Sequence, residues 1–230
     1  MSKTRMTWLV VAVGLAMIGC GGGDDGADLD AGDTDTLNLG NAACLPENGP
    51  FTSEITNPYL PFVVGSVHKL EGLEGGTDYA CFRVEVPGDT ADVGGVTALV
   101  VEKMGCEDGG VEEPEAEYFA QAPDGTVCIF GDGEWEAGQD GYEAGLFMPG
   151  NPAVGMVFER IHGPDGVETG EITEIAVPFD TQTPVGVLDD TMTVAEEDSE
   201  EVGVSLKRYA RDIGEIYDDG ITIVSYSIRK

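Results

Sequence analysis

Short runs of β-branched and aromatic residues, separated by turn-forming residues, dominate the chain from about residue 62 onward. In the run 81–86, apolar residues alternate with more polar ones, which is the period of two that a half-buried strand produces. The run 96–103 is more continuously apolar and is typical of a strand buried on both faces. No segment carries a sustained apolar stripe with the 3.6-residue period of a helix. The chain is therefore constrained to an all-β fold.

About ten such runs are present, and Gly, Asp and Pro turn signals separate them. The runs are 64–71, 81–86, 96–103, 115–121, 126–131, 155–162, 171–177, 187–195, 202–210 and 223–228. Strands at this spacing usually pair with their neighbours in sequence. We therefore predict one domain over 48–230, a single antiparallel, strongly curved sheet or barrel-like domain of about ten strands. The segment 132–153 is too irregular for a strand and is predicted to be a long ordered loop.

Residues 1–19 have the pattern of a bacterial lipoprotein signal peptide. Lys3 and Arg5 form a positive segment, and the thirteen mostly apolar residues from Met6 to Ile18 follow it. That apolar run is shorter than the roughly 20 residues of a membrane-spanning helix. Small Gly19 precedes Cys20, so the expected cleavage site coincides with a thiol. We expect Cys20 to carry acyl chains that anchor the protein in the bacterial cell envelope, at the outer membrane or cell surface; an ordinary secretory signal is the alternative.

Residues 20–47 are rich in glycine and aspartate and contain no basic residue. Such a composition buries little apolar area and predicts a solvated, self-repelling tether. The aspartates invite comparison with an EF-hand calcium loop, which requires Gly at its sixth position and Glu at its twelfth. Counted from Asp28, those positions hold Asp33 and Leu39, so the calcium pattern fails.

The whole chain is strongly acidic. It carries 11 basic and 44 acidic residues, for a net charge of −33. Loss of Lys3 and Arg5 with the signal peptide would leave nine basic residues and a net charge of −35. This charge disfavours nucleic acid and anionic lipid as long-range partners. It suits either cation binding or solubility, and solubility requires no specific site.

Four cysteines remain besides Cys20, and an even number in an exported protein predicts two disulfides. Cys81 and Cys106 flank a predicted hairpin, which favours that pair and leaves Cys44 for Cys128. Spacing alone permits three pairings. The chain has no Cys-x-x-Cys motif and only two histidines, so a zinc or redox site is disfavoured.

Several phrases, in one order along the chain, resemble a family of uncharacterised bacterial secreted proteins and lipoproteins. The first is Asn57-Pro58-Tyr59-Leu60-Pro61-Phe62, similar to the Asn-Pro-Tyr-Phe-Pro-Leu opening of those proteins. The later phrases are Tyr118-Phe119-Ala120-Gln121, Trp135-Glu136-Ala137-Gly138 with Asp140-Gly141, and Lys207 with Tyr209-Ala210-Arg211. The resemblance covers most of 55–217. It implies export and a shared fold, but no activity, because the family has no established one.

The chain departs from the family pattern at two positions. His68 stands where members usually carry Trp, and Leu206 stands where many carry His. A function that depended on that His would be absent here. Cys81 and Cys128 look like local additions, which is consistent with a stapling role.

The densest group of candidate functional side chains lies in the segment 132–149. It consists of Asp132, Glu134, Trp135, Glu136, Asp140 and Glu143. Carboxylates on a pliable loop suit Ca²⁺. The candidate ligands are Asp132, Glu134, Glu136 and Asp140. Two carboxylates beside an aromatic ring suit glycoside hydrolysis, with Glu136 and Asp140 as the candidate catalytic pair. In the third interpretation Trp135 packs the loop onto the sheet while the acids face water.

Tyr59 and Tyr209 are further candidates for ligand binding, as an aromatic edge near the first strand. In the alternative interpretation Tyr59 is buried with its hydroxyl satisfied and fixes the start of the domain. His68 and His162 are the only candidate general bases, and each is expected on the surface of a strand. No Gly-x-Ser-x-Gly nucleophile motif is present.

These patterns predict a lipid-anchored, non-catalytic binding or structural module with an unidentified envelope or extracellular ligand. The alternatives are a carboxylate hydrolase acting on a glycan and a calcium-stabilised adhesion module. The expected partners are the bacterial membrane, through the lipid, and that ligand, but no nucleic acid. Ca²⁺ is the one cofactor that any pattern suggests, and the oligomeric state is open.

Overall fold

The computed structural model describes residues 37–74, 78–107, 110–164, 166–199 and 203–228. The predicted signal peptide, Cys20 and most of the predicted tether lie outside the described residues. The last part of that tether, 37–47, instead belongs to the β domain, where it forms a strand and two 3-10 turns. Leu39 and Ala43 pack against the core and Cys44 is fully buried. Three small or apolar anchors therefore order a segment whose average composition is polar.

The described residues contain very little helix. The two 3-10 turns, Ala42–Cys44 and Pro46–Asn48, are single turns of three residues each. Within the described part of the chain, no helix has both the length and the apolar character needed to cross a membrane.

Fifteen strands in the described residues form the domain. They are β1 (Leu37–Asn38), β2 (Val67–Glu74), β3 (Asp78–Glu85), β4 (Thr90–Val93), β5 (Val96–Glu107), β6 (Gly110–Val111), β7 (Glu115–Gln121), β8 (Val127–Gly131), β9 (Gly145–Met148), β10 (Met156–Gly163), β11 (Gly166–Asp180), β12 (Val187–Asp198), β13 (Ser205–Ala210), β14 (Gly214–Asp218) and β15 (Ile221–Ser227).

The strands form one mixed sheet with an open path. Its hydrogen-bonded order is β1-β10-β11-β12-β13-β14-β15-β2-β3-β5-β7-β8-β9, and β4 and β6 pair with β5 beside that path. The pair β1–β10 is parallel and the other pairs are antiparallel. Neighbours in space are mostly neighbours in sequence, as in a meander.

The all-β prediction is confirmed, but its finer details need correction. Each of the ten predicted runs overlaps a strand, whereas β1, β4, β6, β9 and β14 were not predicted. These five strands have two to five residues, too few to display a period of two. The parallel pair and the open path also differ from the predicted antiparallel, barrel-like closure. The predicted loop 132–153 contains one of the missed strands, β9.

Two tight hairpins show how local sequence sets the register. Gly94 and Gly95, between β4 and β5, have φ of +58° and +82°. Asp219 and Gly220, between β14 and β15, have φ of +39° and +104°. Two consecutive residues with positive φ match the twist of antiparallel strands, and glycine adopts that conformation without strain. The Asp219-Gly220 turn is one of the signals visible in the sequence.

The sheet is strongly curved, because β9 lies against β10 although the two strands share no ladder. Just before β9, the Glu143 N–H donates a hydrogen bond of 2.9 Å to the His162 carbonyl. Gly145 then packs directly on the Arg160 carbonyl, and a Cβ at this position would overlap that oxygen. This contact brings distant parts of the strand path together around a common interior.

Two apolar clusters fill that interior. The larger includes Phe119, Phe158 and Met192, and the smaller includes Leu70, Ile216 and Ile223. Disulfides join Cys44 to Cys128 and Cys81 to Cys106, with Cα–Cα distances of 5.5 and 5.4 Å. This is the pairing that the sequence favoured. The first bond fixes the segment before β2 to the larger cluster, and the second links β3 to β5.

Candidate functional site

The 132–149 segment holds its aromatic residue against the domain. Trp135 is only 8% exposed and stacks on Tyr142, with ring centroids 5.5 Å apart. Asp132 caps the turn that leads to Trp135, since its Oδ1 accepts hydrogen bonds from the N–H groups of Glu134 (2.7 Å) and Trp135 (3.3 Å). Glu134 itself is exposed. This geometry matches the interpretation in which Trp135 packs the loop.

The other predicted loop acids point to separate partners. Glu136 accepts a hydrogen bond from Gln139 Nε2, and Glu143 accepts one of 3.0 Å from Asn41 Nδ2. Asp140 is exposed and has a φ of +50°. The depression beside them has a volume of about 210 Å³. Across the described ranges, no three His, Cys, Asp or Glu side chains are grouped to hold a metal ion.

Tyr59 anchors the segment that leads into β2. It is 1% exposed, and its hydroxyl donates a hydrogen bond of 2.7 Å to Asp190 Oδ1. Arg211 Nη2 donates to the same hydroxyl at 3.2 Å and its Nε also pairs with Asp190. The hydrogen bond from Arg211 is the main cause of a lowered pKa at Asp190. These contacts give Tyr59 the role of a buried, satisfied anchor.

Tyr209, the second aromatic candidate, lies in the interior. It is 1% exposed, and burial is the main cause that raises its pKa to about 12. Its phenol interacts electrostatically with Arg160, Glu215 and Lys207 rather than with Tyr59. Tyr209 therefore belongs to a group of ionisable side chains inside the sheet.

The two histidines differ in exposure, and only His68 departs from the strand surface position predicted for both. His162 is 40% exposed at its side chain, and its Nδ1 lies 2.9 Å from Glu159 Oε2. His68 is 5% exposed, which contradicts the prediction. Its strand position places it in the inward row, opposite Val84 of β3. Burial lowers the pKa of His68 to about 4, so the ring is neutral near pH 7.

A cavity of about 130 Å³ lies between the two apolar clusters. Its apolar walls include Leu60, Phe62, Val84 and Ile129. Its ionisable lining includes His68, Lys103, Glu117, Arg160, Lys207 and Glu215. Six strands of the sheet, β2, β5, β7, β10, β13 and β14, each supply one of these six side chains.

The period of two explains why these charged side chains face inward. Glu117 is two residues from fully buried Phe119 on β7, and Lys207 is two residues from buried Tyr209 on β13. Residues two apart on a strand share a face. Glu117 also stands opposite fully buried Val101 on β5. On both β7 and β13, a charged side chain and a buried aromatic side chain two residues away therefore both face the interior.

Ion pairs neutralise the Arg160 and Lys207 side chains. Arg160 pairs with Glu196, and its Nη1 lies 3.5 Å from Glu168 Oε1. Lys207 Nζ lies 3.3 Å from Glu196 Oε2 and 3.5 Å from Asp218 Oδ2. Burial alone would lower the pKa of Lys207, but nearby carboxylates, Asp218 foremost, outweigh burial and raise it.

Three acceptor groups of the cavity lack such partners within the described residues. Glu117 and Glu215 form no ion pair there, and burial raises the pKa of both carboxyls against opposing nearby lysines. Glu215 Oε1 and His68 Nε2 are buried without a hydrogen-bond partner. The cavity therefore presents two carboxyls without an ion pair and a neutral imidazole with an unpartnered nitrogen. Arg160 Nε and Nη1 and Glu196 Oε1 are also buried without a hydrogen-bond partner.

Of the predicted site residues, Asp132 lines this cavity and Tyr209 interacts electrostatically with its lining. The sequence analysis missed the other ionisable lining residues, which include Lys103, Glu117, Arg160, Lys207 and Glu215. One signal was available, because a charged residue two positions from a bulky apolar one lies on the core face of its strand. Glu117-x-Phe119 and Lys207-x-Tyr209 both have this form. The convergence of six such positions required the tertiary fold.

Comparisons with known proteins found one weak structural similarity to this chain. No protein-family model matches this chain, and no curated protein does. A solved structure from Parabacteroides distasonis, described as a "putative lipoprotein", has a TM-score of 0.31 and 11% sequence identity. The similarity covers 75% of this chain and 96% of that one. A TM-score this low supports no inference about the fold or function of this chain.

Proposed function

We propose that the protein is a lipid-anchored envelope protein that binds a small ligand in its interior cavity without transforming it. The segment that ends in Cys20 supports export and anchoring. The ionisable lining of the cavity supports ligand binding. These two supports are independent of each other.

The observation that carries the proposal is the cost of the charges around the cavity. Arg160 is 3% exposed and Glu196 is 7% exposed. Moving an ion out of water costs several kcal/mol even after the protein relaxes, and apolar replacements of buried ion pairs are often neutral or stabilising. A domain that needed only stability would favour an apolar interior. Polar groups that converge on a cavity whose other lining residues are apolar are instead typical of a binding site.

The size of the cavity limits the ligand. An apolar cavity of about 150 Å³ in another protein accommodates benzene. A volume of about 130 Å³ therefore suits a compact molecule or the terminal group of a larger one. The partly exposed Glu168 and Asp132, which also line the cavity, lie on the side open to solvent.

The 132–149 segment offers less support for hydrolysis. Glu136 is half-buried and bonded to Gln139, and Asp140 is exposed beside a shallow depression. A glycosidase requires two carboxyls facing one bond in a cleft that excludes water. The buried cavity is therefore the better place to test for a function.

The proposal is tested by screening the purified mature protein, in detergent micelles, against compounds of about eight non-hydrogen atoms or fewer. A ligand that binds only the native state stabilises it by RT ln(1 + [L]/Kd), so the melting temperature rises with ligand concentration. We expect at least one chemical class to do so for the wild type. The Val84→Phe variant should lose this response, because the added ring fills the cavity.

The matched control is Val187→Phe, which adds the same ring at a position that is 58% exposed. It should respond to ligand as the wild type does. Two results would overturn the proposal: no compound class binds the wild type, or the compounds that bind also bind Val84→Phe equally well.

A further inference from the structure

We infer that the cavity ligand carries a primary ammonium group, bound by Glu117, Glu215 and His68, with a short apolar body against Leu60 and Phe62. This inference rests on the proposed function and specifies the chemistry of its ligand. A primary ammonium has three N–H donors and no acceptor. Of the three acceptor groups that the cavity offers, Glu215 Oε1 and His68 Nε2 are buried without a hydrogen-bond partner, and Glu117 forms no ion pair within the described residues.

The ion pairs of Arg160 and Lys207 disfavour the opposite assignment, an anionic ligand bound by these cations. Arg160 and Lys207 are each held by two carboxylates, so an anionic ligand would have to displace existing ion pairs. Arg160 also lies over the Phe147 ring, 4.0 Å from its centroid. Lys103 contacts the Phe82 ring at 4.5 Å from its centroid and opposes the raised pKa of Glu117. Arg160 and Lys207 are therefore ion-paired, although Arg160 Nε and Nη1 lack a hydrogen-bond partner, whereas Glu117 and Glu215 form no ion pair within the described residues.

The balance of charge around the cavity points the same way. Lys103, Arg160 and Lys207 are surrounded by Glu117, Asp132, Glu168, Glu196, Glu215 and Asp218. Acidic groups thus outnumber basic ones, and a bound cation would favour the ionised form of the two carboxyls whose pKa burial raises, Glu117 and Glu215. The net charge of −33 also attracts cations toward the protein from a distance.

His68 adds a reason to expect an N–H donor rather than a bare positive charge. Its ring is neutral near pH 7 because burial lowers its pKa to about 4. With the proton on Nδ1, the unpartnered Nε2 accepts a hydrogen bond from the ligand. The carboxyls of Glu117 and Glu215 gain charge-assisted hydrogen bonds, which are about twice as strong as neutral ones.

Four matched probes separate these features in calorimetric titrations of the mature protein in micelles at pH 7.5. Butylamine carries charge and three donors, butyltrimethylammonium carries charge without donors, butanol is neutral, and butyrate is anionic. We expect butylamine to bind at least about tenfold more tightly than each of the other three, which corresponds to about 1.4 kcal/mol.

The variants Glu117→Gln and Glu215→Gln keep the shape of the side chain but cannot ionise, so they cannot form an ion pair with an ammonium group. Each should weaken butylamine binding by about tenfold or more. The control Glu134→Gln changes an exposed carboxylate of the 132–149 segment and should leave the affinity unchanged. The comparison of the four probes on the wild type stays decisive if a cavity variant fails to fold.

The outcomes distinguish this inference from the proposed function. Preferred binding of butyrate or butanol, abolished by Val84→Phe, would overturn the ammonium assignment and leave the cavity as a binding site. Equal binding of butylamine and butyltrimethylammonium would also overturn it, because donors would then be irrelevant. If none of the four probes binds, the ammonium assignment fails; if the wider compound screen is also negative, the proposed function fails with it.

Discussion

At the scale of single residues, His68 makes stability depend on pH. The pKa of this ring is about 4 in the folded protein, against 6.5 in an unfolded chain. The unfolded state therefore binds the proton more readily, and acid favours unfolding. The stabilisation is complete above pH 6.5 and is lost as the pH falls toward 4. We expect His68 to account for a loss of about 2 kcal/mol in unfolding free energy between pH 8 and pH 5.

Urea unfolding at the two pH values measures this loss. The variant His68→Phe should lose about 2 kcal/mol less than the wild type between pH 8 and pH 5, because its ring cannot titrate. The control His162→Phe removes a histidine with a 40% exposed side chain and should retain the wild-type loss. Equal losses in the wild type and His68→Phe would contradict the prediction.

Residue chemistry predicts anchors better than cavities. The burial of Tyr59 was open to prediction, because an aromatic ring between prolines, with a hydroxyl that needs a partner, suits a fixed chain start. The inward orientation of His68 could not be predicted in this way, because a polar side chain is expected on the solvent face of a strand. Its partner across the strands, Val84, becomes known only when β2 pairs with β3.

At the scale of elements, the contact between β9 and β10 depends on one glycine. A Cβ on Gly145 would overlap the Arg160 carbonyl, so Gly145→Ala forces the two backbones apart. Overpacking of this kind typically costs about 1–3 kcal/mol, and here the obstacle is backbone rather than a flexible side chain. We expect Gly145→Ala to reduce the unfolding free energy by more than about 2 kcal/mol in urea titrations.

Gly133→Ala is the matched control for this substitution. The atoms nearest to its added Cβ, in the Glu115 side chain, would lie 4.0 Å away. Its stability should stay within about 0.5 kcal/mol of the wild type. A Gly145→Ala protein as stable as Gly133→Ala would show that β9 does not pack on β10 in this way.

Element length sets how much of the sheet can be predicted. Long strands such as β11 and β12 carry enough residues for a period of two, and the sequence locates them. The four-residue strand β9 follows a segment of Gly, Glu and Trp that favours a loop, and its neighbours hold it in place. The parallel pairing of β1 with β10 joins residues more than a hundred positions apart and has no local signal.

At the scale of the whole molecule, the proposed export and the proposed ligand binding have different kinds of sequence signal. The export pattern is linear, because a translocation signal is read as a continuous segment. The candidate cavity is lined by residues from ten strands, so no contiguous motif encodes it. The 132–149 segment has the opposite property, since its acids are dense in sequence but bond separately in space. In a chain with 44 acidic residues, density along the sequence is therefore a poor guide to a site.

The anchor gives the last prediction at this scale. In a bacterial host that processes lipoproteins, the wild-type protein should incorporate labelled palmitate and enter the detergent phase of a Triton X-114 extraction. Cys20→Ser removes the thiol that accepts the lipid and should abolish both signals, whereas Gly22→Ser, a similar change nearby, should preserve them. Several acyl chains give lasting membrane attachment, while one chain binds only marginally. Detergent partitioning of Cys20→Ser would contradict the lipid anchor, and so would a wild-type protein that takes up no palmitate and stays in the aqueous phase.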